Sequence, residues 1–159
     1  MFGHSPTISI PDFEGDVSLN TEAIEQSSMR LVIHAASLTV IDDISKKDRD
    51  EINRAMHQEV IESDSFPEII YECSGVTAGK TGENQYLASL NGELTLHGVT
   101  RNQPVSARVS LGGDLLRAAG DLTVRLSDYD IRPVKAAGGA VKLKDELKLM
   151  FDISARKRA

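Results

Sequence analysis

The segment YLASLNGELTLHGVTRNQPVSARVSL, residues 86–111, decides the fold prediction. Apolar and polar side chains alternate on both sides of a short connector at residues 97–104. The apolar stripes are Ala88, Leu90, Leu94 and Leu96 before the connector, then Val105, Ala107, Val109 and Leu111 after it. Because successive side chains of a strand point to opposite faces, this pattern predicts two antiparallel strands, each with one buried face.

Similar alternation recurs along most of the chain. It predicts further strands at residues 2–10, 13–19, 29–35, 68–76, 116–126 and 141–153. Residues 79–84 are polar and are interpreted as a turn. About eight one-sided strands favour an antiparallel sheet closed into a barrel, which can hold side chains or one small ligand.

One segment has a helical pattern instead. Ile52, Met56 and Val60 recur every four residues, and Ser45 followed by Asp48 resembles a capping box. These features predict an amphipathic helix at about residues 45–63. The fold class is therefore mainly β with one helix, and residues 1–159 are predicted to form a single domain.

Composition restricts the classes of function. A net charge of -6 argues against binding to a nucleic-acid backbone. No apolar run approaches the ~20 residues that span a membrane, so an integral membrane protein is not expected. The single cysteine gives no sign of an oxidising compartment, and the first residues lack a secretory signal. A cytoplasmic location is expected from the sequence as it stands, or a periplasmic one if a segment precedes it.

Catalytic and metal-binding motifs are not evident, and neither an enzyme nor a cofactor is predicted. His4, His34, His57 and His97 show no metal-ligand spacing. We expect His97 to bond backbone or water at its turn and His57 to be solvated. Cys73 shares a parity with apolar neighbours and is predicted to be a buried small side chain.

Asp145 is the acidic residue on the apolar parity of the last predicted strand. In one interpretation the strand starts or bulges there, which places the carboxylate at a rim. In the other, Asp145 faces the polar head of a ligand.

The chain resembles the YceI-like family. Residues 92–100, GELTLHGVT, followed by Pro104 and Val105, are similar to the most recognisable motif of that family. Further similar segments occur in the same order at residues 13–17, 65–71, 127–129 and 145–147. The resemblance implies an elongated lipocalin-like barrel whose apolar channel holds a polyisoprenoid chain, such as a quinone or its precursor.

Two departures from the family pattern bear on the prediction. The chain lacks the strand with which members normally begin, and Asp130 stands where glycine is usual. A barrel without its first strand has an open edge, which proteins usually cover or pair. We therefore expect a homodimer.

The sequence leaves two main hypotheses of function; a third, an enzyme that uses His97 or Asp145, is not favoured. The first is non-enzymatic carriage of a long apolar ligand, a polyisoprenoid, quinone or fatty chain, with the helix closing one end of the channel. The candidate channel residues are Ile33, Ala35, Leu90, Leu94, Val105, Val109, Leu122, Val124, Leu149 and Phe151. The second is a barrel with a packed interior that acts through its surface.

Overall fold

Strands dominate the structure, a computed structural model that describes residues 6–132, 135–136, 141–142 and 144–158. Over these residues the strands are β1 (Ile8–Ser9), β2 (Phe13–Ser18), β3 (Ser28–His34), β4 (Thr39–Val40), β5 (Glu68–Cys73), β6 (Val76–Gly82), β7 (Gln85–Leu96), β8 (Val99–Gly112), β9 (Leu115–Arg125), β10 (Lys135–Ala136), β11 (Val141–Lys142) and β12 (Glu146–Arg156). The helical segments are α1 (Lys46–Ala55), a π-helical continuation at Met56–Val60, and short 3-10 turns at Ile24–Gln26, Ala35–Ser37 and Leu126–Tyr129.

Eight of the strands form one antiparallel sheet in the order β12–β9–β8–β7–β5–β3–β2, with β6 also paired to β7. β5 and β6 pair with different parts of β7, so they follow one another along the same edge of that strand. The sheet is curled into a half-barrel, which confirms the predicted mainly-β, antiparallel, lipocalin-like fold.

The two ends of this sheet are β2 and β12, and over the described ranges they do not pair with each other. Six antiparallel pairings separate them, so β2 and β12 run in the same direction. Every residue of β2 is exposed, including the apolar Phe13 and Val17. Over these ranges β2 and β12 are therefore unpaired edges of the sheet, although the side chain of Arg158, just after β12, contacts Asp16 of β2.

The central hairpin is longer than predicted, and the predicted connector at residues 97–104 is wrong. Only His97 and Gly98 form the turn, with φ values of 56° and 73°, and β8 begins at Val99. Two residues with positive φ match the twist of the flanking strands. Pro104 is accommodated inside β8 because β9 pairs with that strand only from Arg108 to Gly112.

The helix confirms the predicted capping and apolar stripe. The Ser45 side chain accepts a hydrogen bond from the backbone N–H of Asp48 at 3.1 Å. Ile52, Met56 and Val60 are all buried. The helical segment ends at Val60, three residues before the predicted boundary at 63, and its last turn widens into a π-helix.

Other boundaries also differ from the prediction. β6 extends to Gly82 and so occupies most of the predicted polar turn at 79–84. The strand was not predicted because the parity of Val76 and Ala78 continues with Lys80 and Gly82, which gives no sustained apolar stripe. Within the described residues, the first predicted strand is reduced to β1; residues 1–5 of it lie outside the described residues. The predicted strand at 141–153 is divided into β11 and β12.

The main apolar core lies at the end of the half-barrel that contains the β7–β8 turn. There, inward side chains of the sheet such as Leu94 and Val124 join Met56, Val60 and Tyr129 in one cluster. The helix therefore packs across this end, and the opposite end holds the space described next.

Candidate functional site

An apolar cavity lies on the inner face of the half-barrel, at the end away from the helix. Inward side chains of β2, β3, β6, β7, β8, β9 and β12 line it, and they are mainly apolar, with Ser27, Ser28 and Tyr86 among the lining residues. The cavity volume is about 80 Å³, and the empty space with the open mouth included is about 690 Å³. The cavity itself is smaller than the ~300–1,000 Å³ of typical ligand pockets, because most of the larger figure is space open to solvent.

A row of small side chains explains why this end is hollow. Ala78, Ala88 and Ala107 lie beside one another on β6, β7 and β8 and all line the cavity. Alanine at these positions adds little side-chain volume to the inner face, whereas larger apolar side chains such as Leu94 and Val124 are buried at the helix end. The cavity is thus a consequence of strand register combined with alanine at three facing positions.

Two of the ten candidate channel residues, Leu90 and Val109, line the cavity. Four others are buried in the core cluster at the helix end, namely Ala35, Leu94, Val105 and Val124. Ile33, Leu122, Leu149 and Phe151 are partly buried and pack against that cluster. The role of all ten in ligand binding stays a prediction.

Sequence reasoning missed several cavity residues. Met29 and Val76 line the cavity, as does Tyr86, although none was a candidate. Met29 and Tyr86 share the inward parity of strands that were predicted correctly, so parity could have included them. Val76 and Ala78 were missed because residues 68–76 were predicted as one strand, whereas the structure ends β5 at Cys73 and starts β6 at Val76, with the opposite parity facing inward.

A partly buried apolar face extends from the cavity toward the helix end along β12. Ile153 lines the cavity, and Phe151, Leu149 and Leu147 follow on the same face. All four are partly buried, while the residues between them are exposed. Six residues of strand span about 20 Å, so this face is long enough for an extended chain.

Three side chains tie the β7–β8 turn to the helix end. Nδ1 of His97 lies 3.0 Å from the backbone oxygen of Tyr129, and Nε2 contacts the carboxylate of Glu62. The ring of Phe66 packs edge-on against the imidazole with 4.8 Å between centroids. The predicted hydrogen bond from His97 to backbone is confirmed.

His57 and Cys73 both form hydrogen-bond contacts within the fold. His57 is not solvated as predicted, because its ring nitrogens contact the Leu38 carbonyl at 2.8 Å and the Ser63 hydroxyl at 3.1 Å. Cys73 is buried as predicted, and its thiol donates to the Gly75 carbonyl.

Asp145 lies immediately before β12, in agreement with the interpretation as a strand start. Its carboxylate accepts hydrogen bonds from the backbone N–H and the hydroxyl of Ser127, at 2.8 and 2.9 Å. These bonds hold the end of β9 beside the start of β12, so the carboxylate has a local structural partner.

Within the described ranges, no three His, Cys, Asp or Glu side chains come together in a way that could hold a metal ion. Likewise, no helix there is long and apolar enough to cross a membrane.

The model of the YceI-like domain matches residues 1–155 of the chain. Several solved structures share the fold. BcnA of Burkholderia cenocepacia is 20% identical with a TM-score of 0.70, over 93% of this chain and 86% of that one. A YceI protein of Campylobacter jejuni is 12% identical with a TM-score of 0.71, over 100% of this chain and 89% of that one. The third is a polyisoprenoid binding domain from Saccharophagus degradans that is implicated in plant cell wall breakdown. It is 15% identical with a TM-score of 0.62, over 92% of this chain and 93% of that one. No curated protein matches the chain.

Proposed function

Because the chain belongs to the YceI-like family, we propose that it is a non-enzymatic carrier of a long-chain apolar ligand. The observation that carries the proposal is the cavity with a mainly apolar lining at the open end of the half-barrel. A lining dominated by aliphatic side chains favours hydrocarbon over a polar substrate.

Burial of hydrocarbon supplies the binding energy in this proposal. Each methylene transferred from water to an apolar site contributes about 0.8 kcal/mol. The cavity volume of about 80 Å³ accommodates only a short stretch of chain. A longer ligand therefore continues along the partly buried face of Ile153, Phe151, Leu149 and Leu147, where it covers apolar surface that water now reaches.

We propose a polyisoprenoid, a quinone or a fatty chain as the ligand class. The narrow cavity, extended by a face about 20 Å long, suits a linear chain better than a compact polycyclic molecule. The structural neighbour from Saccharophagus degradans is named as a polyisoprenoid binding domain, which supports the first of these classes.

Extraction of the purified protein with organic solvent, followed by mass spectrometry, tests the proposal. We expect a long-chain lipid in near-stoichiometric amount from the native protein and none from a mock purification. A protein that carries no lipid, and that also fails to bind a long-chain hydrocarbon added in excess, would favour the alternative of a barrel that acts through its surface.

We also propose that the protein is a homodimer. Two observations support it: β2 and β12 are unpaired edges over the described ranges, and Phe13 and Val17 on β2 are apolar yet exposed. Light scattering coupled to size exclusion is expected to give twice the 17.3 kDa of one chain. A particle of 17.3 kDa across the accessible concentration range would contradict the dimer.

A further inference from the structure

Tyr129 has a buried hydroxyl that is not used by the fold. Its side chain is 1% exposed and belongs to the main apolar cluster. The hydroxyl has no hydrogen-bond partner within the described part of the chain. Buried polar groups are nearly always hydrogen-bonded, so an orphaned donor in the core requires an explanation.

The backbone of Tyr129, in contrast, is well anchored. Its carbonyl oxygen lies 3.0 Å from Nδ1 of His97. Asp130, the next residue, has a φ of 58° and its N–H donates to the carbonyl of Ser127. The phenol is therefore held in the core by a fixed backbone, and the orphaned hydroxyl is not the result of a loosely placed loop.

The apolar face described above leads from the cavity to this end of the molecule. Leu147, at the far end of that face, belongs to the side chains that pack against the cluster containing Tyr129. The backbone N–H of Leu126, in the same 3-10 turn as Tyr129, donates to the carbonyl of Asp145 just before β12. The start of β12, at the far end of this apolar face, therefore lies beside the turn that carries Tyr129.

The surroundings of the Tyr129 hydroxyl favour an uncharged ligand group over a charged one. Burial raises the pKa of Tyr129, with Asp128 acting in the same direction and Arg101 against it, so the phenol is a hydrogen-bond donor at neutral pH. The cluster around it is apolar. Burying a carboxylate or phosphate there without a paired cation would cost far more than one hydrogen bond returns.

From this arrangement we infer that Tyr129 is the head-group site of the proposed ligand, and that it takes a neutral oxygen acceptor such as a carbonyl, ether or hydroxyl. The inference rests on the proposed function and adds an orientation to it. The oxygen-bearing end of the chain enters first and lies deepest, and the hydrocarbon end remains in the cavity at the open mouth.

The test compares wild-type protein with Tyr129→Phe, which removes one oxygen atom. Three ligands with the same chain are used: geranylgeraniol, the corresponding hydrocarbon without the hydroxyl, and geranylgeranyl phosphate. Each displaces diphenylhexatriene, a fluorescent probe without polar atoms. Thermal unfolding of both ligand-free proteins is measured in parallel.

We expect Tyr129→Phe to lower the affinity for geranylgeraniol about five- to tenfold, which corresponds to one net hydrogen bond. The affinities for the hydrocarbon and for the probe should not change. The melting temperature of the ligand-free variant should equal or exceed that of wild type, because no partner is left unpaired. In wild type, the alcohol should bind more tightly than the phosphate.

Other outcomes separate this inference from the proposed function. Three results would overturn the head-group site and leave the carrier function intact. They are an unchanged affinity of Tyr129→Phe for the alcohol, an equal loss of affinity for the hydrocarbon in that variant, and tighter binding of the phosphate than of the alcohol in wild type. Wild-type protein that binds neither the probe nor any of the three chains would overturn the carrier function itself.

Discussion

Replacing Ala118 with phenylalanine is expected to reduce the affinity for long-chain ligands at least about 100-fold. Ala118 lines the cavity and lies between Val109 and Ile153, which also line it. A phenyl ring built there occupies the volume of about 80 Å³ that the chain would otherwise fill. Excluding four methylenes at about 0.8 kcal/mol each removes about 3 kcal/mol, which corresponds to a factor of about 200.

Ala119→Phe is the matched control. Ala119 neighbours Ala118 in β9 but has the opposite parity, and it lies between Arg108 and Asp152 on the outer face. The same ring added there leaves the cavity empty, so binding should match wild type. Titration with diphenylhexatriene measures both variants.

The stability of Ala118→Phe distinguishes a filled cavity from a damaged fold. Ala118 is only partly buried, so the added ring can enter empty space instead of displacing packed neighbours. We expect a melting temperature equal to or above that of wild type. Wild-type affinity in a folded Ala118→Phe variant would show that the ligand does not use this cavity.

The alternation within single strands was enough to predict the long strands. β7, β8 and β9 each bury one face, and their apolar side chains accordingly occupy every second position. The two-residue turn was missed because Pro104 was interpreted as a loop residue. Pro104 fits inside β8 because β9 pairs with that strand only from Arg108 onward. The extent of this pairing depends on both strands and cannot be predicted from the pattern of β8 alone.

The cavity could not be predicted for a related reason. It exists because Ala78, Ala88 and Ala107 face one another across three strands. Parity within one strand tells which face a residue occupies, but register between strands tells which residues meet. The candidate residues were chosen by parity alone, and most of them lie in the packed end of the half-barrel.

Gly92 shows what the family motif at residues 92–100 encodes physically. In the sequence it is an unexplained glycine inside a strand pattern. In the structure, a Cβ at this position would lie 2.5 Å from the ring and hydroxyl of Tyr71 and 2.7 Å from the carbonyl oxygen of Glu72. The absence of a side chain lets the phenol cross β7 and donate a hydrogen bond to the Gln103 carbonyl in β8 at 2.9 Å.

Gly92→Ala is therefore expected to destabilise the protein by about 3 kcal/mol. Overpacking of a buried position costs about 1–3 kcal/mol, and displacement of Tyr71 adds about 1 kcal/mol for the lost hydrogen bond. For a chain of 159 residues the melting temperature should fall by roughly 6–12 °C. Denaturant unfolding gives the free energy directly, with an unchanged m-value if the native fold is retained.

Two further variants establish the cause. Gly79→Ala, in the neighbouring strand β6, adds the same methyl group where no atom lies within 4 Å, so its stability should match wild type or slightly exceed it. In a Tyr71→Leu background the penalty of Gly92→Ala should shrink, because the ring that the new methyl group meets is gone. The contact with the Glu72 carbonyl persists there, so the penalty should not vanish. An equal penalty in both backgrounds would show that the glycine serves the backbone of β5 and not the crossing phenol.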